Sequence, residues 1–130
     1  RKIHQFVNFT VSTPFQMALA DYLKTHVEYC DQLGSFYQAK RDYFCSLLSK
    51  SRFHVRPSQG TYFQLLDYSD ISEELDVTLS KEWTRKLGIA SIPISVFHKK
   101  KPASPQTLLR FCFAKDDATL EKAGEILCRI

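Results

Sequence analysis

The stretch TLLRFCFAK, residues 107–115, decides how the rest of the chain is read. Side chains alternate across a strand, so Leu109, Phe111 and Phe113 take one face while Leu108, Cys112 and Ala114 take the other. The first is a core face. The second carries Arg110 at its centre, a guanidinium that cannot shed its charge and is costly to bury without a partner. The residues alone leave the partner open. It is either an acidic neighbour, or water reached by the long stem at a sheet edge, or a ligand carboxylate, which arginine grips through two parallel charged hydrogen bonds.

Such a strand needs others beside it. FHVRP, 53–57, is a short strand ended by Pro57; SQG follows as a turn, and TYFQLLDY, 61–68, is rich in aromatic and β-favouring residues. Two strands joined so closely form a hairpin. IASIPIS, 89–95, is a third short strand, and HKKKPASPQ, 98–106, is the most loop-like segment of the chain.

Ahead of the hairpin the pattern is helical. After an apolar, β-prone run, FVNFTV at 6–11, Thr13 as N-cap, Pro14 at the first helical position and Gln16 mark a helix start. This helix is expected to reach about Cys30, with a poorer stretch from Lys24 to Glu28. A second, from about Gln32 to Ser51, sets Leu33, Phe36, Tyr37, Phe44, Leu47 and Leu48 on one face, and Gly34 does not stop it. Asp76 can cap a helix in which Leu79, Trp83 and Leu87 recur every four residues, with Gly88 as its C-terminal cap. Asp116 or Asp117 then caps a last helix carrying Leu120, Ala123, Leu127 and Ile130. The order predicts an α+β fold: a small, mostly antiparallel sheet with helices packed on it, preceded by a long helical segment.

Composition bounds the function. The chain of 130 residues is one domain's worth, 44% hydrophobic and with a mild net charge of +4. Its one basic cluster, Lys99 to Lys101, lies in a proline-flanked loop, so nucleic acid is not expected as a partner. No stretch suits a membrane span and no secretory signal opens the chain. Cys30, Cys45, Cys112 and Cys128 show no metal-ligand spacing; the last three suit small buried hydrophobes, reduced in a cytoplasmic protein. The chain opens on Arg1-Lys2 without an initiator methionine, which suggests a piece of something longer.

A complete active site is hard to find among these residues. His4, His26, His54 and His98 lack metal spacing, no Cys or Ser sits in a nucleophile elbow, and the carboxylates of SEELD suit a helix N-terminus. Gly60 stands alone before an aromatic strand. Glycine there either makes the turn, the favoured reading, or leaves room for something close by.

Four segments in order carry a family resemblance. KIHQFVNFTVSTPFQMALADYL, QGTYFQLLDY, IASIPISVF and LLRFCFAKDDATLEKA resemble successive segments of the C-terminal part of a fold-type I, pyridoxal-phosphate-dependent aminotransferase of class I/II. The branch they resemble most holds the methionine and kynurenine/glutamine aminotransferases. The resemblance covers essentially the whole chain and implies a single C-terminal domain, 1–130, of a longer enzyme. It implies amino transfer between an amino acid of methionine, glutamine or aromatic type and a 2-oxo acid. By matching position, Arg110 binds the substrate α-carboxylate, Tyr62 is an aromatic on the substrate side and Gly60 the turn beside it. Phe9 matches an aromatic that reaches into the partner subunit's active site, so a homodimer is implied. The cofactor lysine, the acid facing the pyridine nitrogen and the phosphate-binding groups have no match here. The resemblance therefore implies pyridoxal phosphate in the full-length parent, none bound to these residues alone, and an isolated chain without activity. Two other readings stay open: a non-catalytic interaction module derived from this fold, and a relative from the carbon–sulfur lyase branch.

Overall fold

A computed structural model describes residues 2–8, 10–99 and 106–130. The chain divides into two compact units, residues 1–34 and 35–130. The division falls inside one helix.

The first unit holds α1, Lys2–Val7, α2, Thr13–Thr25, and the first turns of α3, Val27–Leu47. Neither α1 nor α2 has a buried residue. The expectation of a β-prone run at 6–11 is corrected here, since Phe6 and Val7 belong to α1. A short apolar run does not by itself separate strand from helix. Helix α2 starts with Pro14 in its first turn, as expected, but Ser12 rather than Thr13 is the N-cap, without a side-chain capping bond. It also stops at Thr25, short of Cys30, and the chain breaks at His26 (φ −134°, ψ 53°). The cause is local competition for hydrogen bonds. The Thr25 hydroxyl donates back toward the carbonyls of Asp21 (3.2 Å) and Tyr22 (3.1 Å), and lies 2.8 Å from His26 Nδ1. The His26 ring meanwhile stacks on Tyr22 with centroids 4.4 Å apart.

The second unit is built on a four-stranded antiparallel sheet of order β1-β2-β4-β3. Its strands are β1, His54–Val55, β2, Phe63–Asp67, β3, Ile92–Pro93, and β4, Leu108–Cys112. The expected hairpin forms, with His54 opposite Asp67 and Val55 opposite Leu66. Pairing of β2 with β4 sets Leu66 opposite Leu109 and Gln64 opposite Phe111 on one face, and Leu65 opposite Arg110 on the other. The third strand is much shorter than IASIPIS. Pro93 lacks the N–H that would continue the ladder, and the chain turns into a short 3-10 helix, Ser95–Phe97.

Helices cover one face of this sheet. Phe44 from α3, Leu48 just past its end, Leu79 and Trp83 from α4, Asp76–Leu87, and Leu120 and Leu127 from α5, Asp117–Leu127, join Leu66, Leu109, Phe111 and Phe113 in one core. Two expected core positions fall elsewhere: Phe36 and Leu87 are exposed. Helix α4 ends on Gly88, whose left-handed φ of 68° suits a residue without Cβ. Helix α5 begins on Asp116, which accepts hydrogen bonds from the Thr119 N–H (2.8 Å) and hydroxyl (3.0 Å). At Gly124 a Cβ would come within 3.0 Å of Leu47 Cβ, so the glycine is where α5 and α3 approach closely.

Tyr68 locks the loops beneath the sheet. Its hydroxyl donates toward the carbonyls of Glu74 (2.9 Å) and Gln106 (3.1 Å), and burial with Asp76 nearby pushes its pKa up to about 12. The cysteines correct another expectation. Cys112 and Cys128 are exposed, as is Cys30, and only Cys45 is half-buried; Cys112 lies on the uncovered face of the sheet, opposite Phe63. Burial pushes the Cys45 thiol up.

Candidate functional site

Arg110 stands at the middle of β4, on the face that the helices leave uncovered. Its register neighbours are Leu65 on β2 and Ile92 on β3, neither of which can bond a guanidinium through its side chain. No described carboxylate pairs with it. Two rings meet it instead. The guanidinium carbon lies over Phe63 at 4.5 Å from the ring centroid and over Phe97 at 5.2 Å, both within reach of the attraction between a cation and an aromatic face. Phe63 comes from the strand on one side of β4, and Phe97 from the turn that follows the strand on the other.

An open groove of about 900 Å³ runs past Arg110, with Tyr62, Phe63, Ile92 and Cys112 along it and Lys115 and Lys122 on its α5 side. Its lining holds three cations and no carboxylate among the described residues. Such a groove favours an anion. It does not suit pyridoxal phosphate, since it offers no acid to face a pyridinium nitrogen and none of its lysines sits in a cofactor motif. Among the described residues, no group of His, Cys, Asp and Glu is placed to hold a metal ion, and no helix is long and apolar enough to cross a membrane.

Tyr62 is brought to the groove by the loop at 56–62. It is 54% exposed, its carbonyl accepts from the Phe113 N–H (3.0 Å), and its ring stands edge-on to Phe63 with centroids 5.8 Å apart. The loop is held from beneath by Gln64, fully buried on the core face. The Gln64 amide donates to the Arg56 carbonyl (2.7 Å) and accepts from the Ser58 N–H (3.0 Å), and Arg41 donates to the Ser58 carbonyl (2.7 Å). Gly60 lies in the bent segment that joins β1 to β2, without a positive φ; the left-handed residue of this loop is Thr61, with φ 68°. A β-branched residue there costs roughly 1–2 kcal/mol, and the buried amide supplies the hold that keeps it. A Cβ on Gly60 would meet nothing within 4 Å, so the space beside it is open. Phe9 lies outside the described residues.

One buried acid was read from sequence only as a helix cap. The N-cap of α4 is Leu75, and Asp76 is the first helical residue, 3% exposed. Its carboxylate accepts from the Val77 N–H (2.9 Å), the Ser95 N–H (2.7 Å) and the Ser95 hydroxyl (2.7 Å). Asp76 and Ser95 are 19 residues apart, and no local pattern announces a contact at that separation. Phe63, Phe97 and Gln64 were likewise missed as site residues; the only sequence signal was the aromatic content of the segments that hold them.

The family profile described as aminotransferase class I and II matches residues 1–127. A methionine aminotransferase of Escherichia coli K12 is 44% identical over 98% of this chain and 32% of its own length. A kynurenine–oxoglutarate transaminase of Dictyostelium discoideum is 33% identical over 98% of this chain and 34% of its own length. Among solved structures, an Escherichia coli protein described as having a methionine aminotransferase function superposes with a TM-score of 0.85 at 43% identity, covering 99% of this chain and 33% of that one. An N-succinyldiaminopimelate aminotransferase of Mycobacterium tuberculosis superposes with a TM-score of 0.82 at 32% identity, covering 96% and 32%. The chain thus spans about a third of the length of the relatives it matches.

Proposed function

The chain belongs to the class I and II aminotransferases, and on that premise we propose that it is the C-terminal, substrate-carboxylate-binding part of a longer pyridoxal-phosphate-dependent transaminase. The single observation that carries this reading is the state of Arg110. It is a half-buried guanidinium with two aromatic rings against it, no described carboxylate paired to it, and an open cationic groove beside it. A carboxylate common to amino acids and 2-oxo acids would complete it with two charged hydrogen bonds. The same arginine would then serve both halves of an amino transfer, holding each substrate in one orientation.

Tyr62 would form an aromatic wall of the same site, and the open space beside Gly60 would leave room for substrate. A side chain of methionine, glutamine or aromatic type fits such a wall, in keeping with relatives named for methionine and kynurenine. Pyridoxal phosphate, when bound, supplies the electron sink for amino transfer. The residues that hold it belong to other parts of the protein in this reading, so these 130 residues alone are expected to be inactive. A cytoplasmic homodimer in which Phe9 reaches the partner subunit's site completes the reading.

The test is Arg110→Ala in the full-length protein. KM is expected to rise roughly 100-fold for every amino-acid and oxo-acid substrate, as loss of a two-point charged contact implies, while the absorbance of bound cofactor is kept. An unchanged KM would defeat the assignment.

A further inference from the structure

We propose that Phe97, presented by an Asp76–Ser95 clamp, is a positioning residue that sets the plane of the Arg110 guanidinium for two-point contact with a substrate carboxylate. The proposal rests on the reading of Arg110 as the carboxylate-binding group. Bidentate recognition needs the planar fork to present two parallel N–H bonds. A long arginine side chain does not hold one plane unaided, and immobilising such a chain on binding has an entropic cost. Something must therefore orient it beforehand. Arg110 has aliphatic neighbours in register on both sides and no described acid paired to it. That leaves the rings of Phe63 and Phe97.

Phe97 differs from Phe63 in how it is held. It is 61% exposed, so it contributes little to the core. The 3-10 turn that carries it is nevertheless fastened. Asp76, buried and without a described cationic partner, commits one oxygen to the Ser95 N–H and the other to the Ser95 hydroxyl, both at 2.7 Å. A buried carboxylate spent on a three-residue turn, whose outermost side chain is an exposed ring over a guanidinium, is costly as core design. It is economical as a rigid mount. Phe63 is tied into β2 itself, so the two rings hold the guanidinium from both flanking sides of β4.

The experiment uses the full-length protein with Phe97→Leu, Phe97→Tyr, Ser95→Ala and Arg110→Ala. KM and kcat are measured for an amino acid, and the reaction rate for a primary amine of the same side chain that lacks the carboxylate. Phe97→Leu is expected to raise KM about tenfold, the order of one cation–aromatic contact, with kcat changed less than about twofold. Phe97→Tyr restores KM, Ser95→Ala moves it in the same direction as Phe97→Leu by a smaller factor, and the amine reacts alike in all four proteins. If Arg110→Ala raises KM and Phe97→Leu does not, the positioning role is overturned while the reading of Arg110 stands. If Arg110→Ala leaves KM unchanged, that reading fails and this proposal with it. A Phe97→Leu protein that slows the amine equally, or that lowers kcat without moving KM, also overturns the positioning role.

Discussion

On one face of the sheet, Leu66, Leu109 and Phe111 are almost wholly shielded from solvent; on the other, Leu65 and Ile92 are 36% and 41% exposed and flank Arg110. Both faces come from the same alternating strands. The covered face is satisfied from within the chain, by helices that bring Phe44, Leu79, Trp83, Leu120 and Leu127 to it. The open face has apolar side chains and a guanidinium, and the core helices of the second unit pack on the other side. Apolar residues that stay this exposed do little for the core, so the two faces are expected to answer mutation differently. One should lose stability, the other substrate binding.

The largest effect should come from Leu109→Ala. Truncating a fully buried leucine leaves a cavity in a packed core and costs roughly 2–5 kcal/mol, read as a fall in Tm. Arg110→Ala, one residue away on the open face, should leave Tm nearly unchanged while KM rises. If both variants lost the same stability, the contrast between the faces would be wrong.

That contrast was largely legible in the sequence, because a period of two survives any detail of packing: Leu109, Phe111 and Phe113 are buried and Arg110 is not. The hairpin and the Gly88 and Asp116 caps were legible for the same kind of reason, each being set by residues close in sequence. What escaped depends on residues far apart or on side chains competing with the backbone. The break at His26 follows from the Thr25 hydroxyl bonding back along α2, with no glycine or proline to announce it. Phe97 reaches Arg110 only because Pro93 ends β3 and Asp76 fixes the turn after it. The helical face at 32–51 overran its core because spacing alone does not say where a neighbour ends, and Phe36 is left exposed.

Gln64 sharpens the comparison by being the exception on the covered face. It is an amide among hydrocarbon side chains, and it bonds the loop that carries Tyr62 on the other side of the sheet. Gln64→Leu would keep the volume and strand the Arg56 carbonyl and the Ser58 N–H. The expected loss is about 1–3 kcal/mol, smaller than that of Leu109→Ala, accompanied by a raised KM as the strained loop at Thr61 relaxes. A loss of stability with no change in KM would mean that the two faces are not coupled through this residue.

The smallest effect separates the faces by pH. Asp116 caps α5, which supplies Leu120 and Leu127 to the covered face, and its hydrogen bonds from the Thr119 N–H and hydroxyl hold its carboxyl below the usual carboxylate range. A carboxyl whose folded-state pKa is depressed stabilises the fold fully above the unfolded value, about 4, and that contribution is lost as pH falls through the depressed value. The window therefore lies on the acid side of pH 5. Asp116→Asn removes the titration but keeps an oxygen that can accept from Thr119. Its Tm should fall below that of the parent at neutral pH and approach it as pH drops through this window, because the parent loses the charge that the variant never had. Arg110→Ala should run parallel to the parent over the same range, since Arg110 caps no helix and pairs with no described carboxylate. An Asp116→Asn curve parallel to the parent would show that the charge at the start of α5 contributes nothing to the covered face, and that its cap acts through geometry alone.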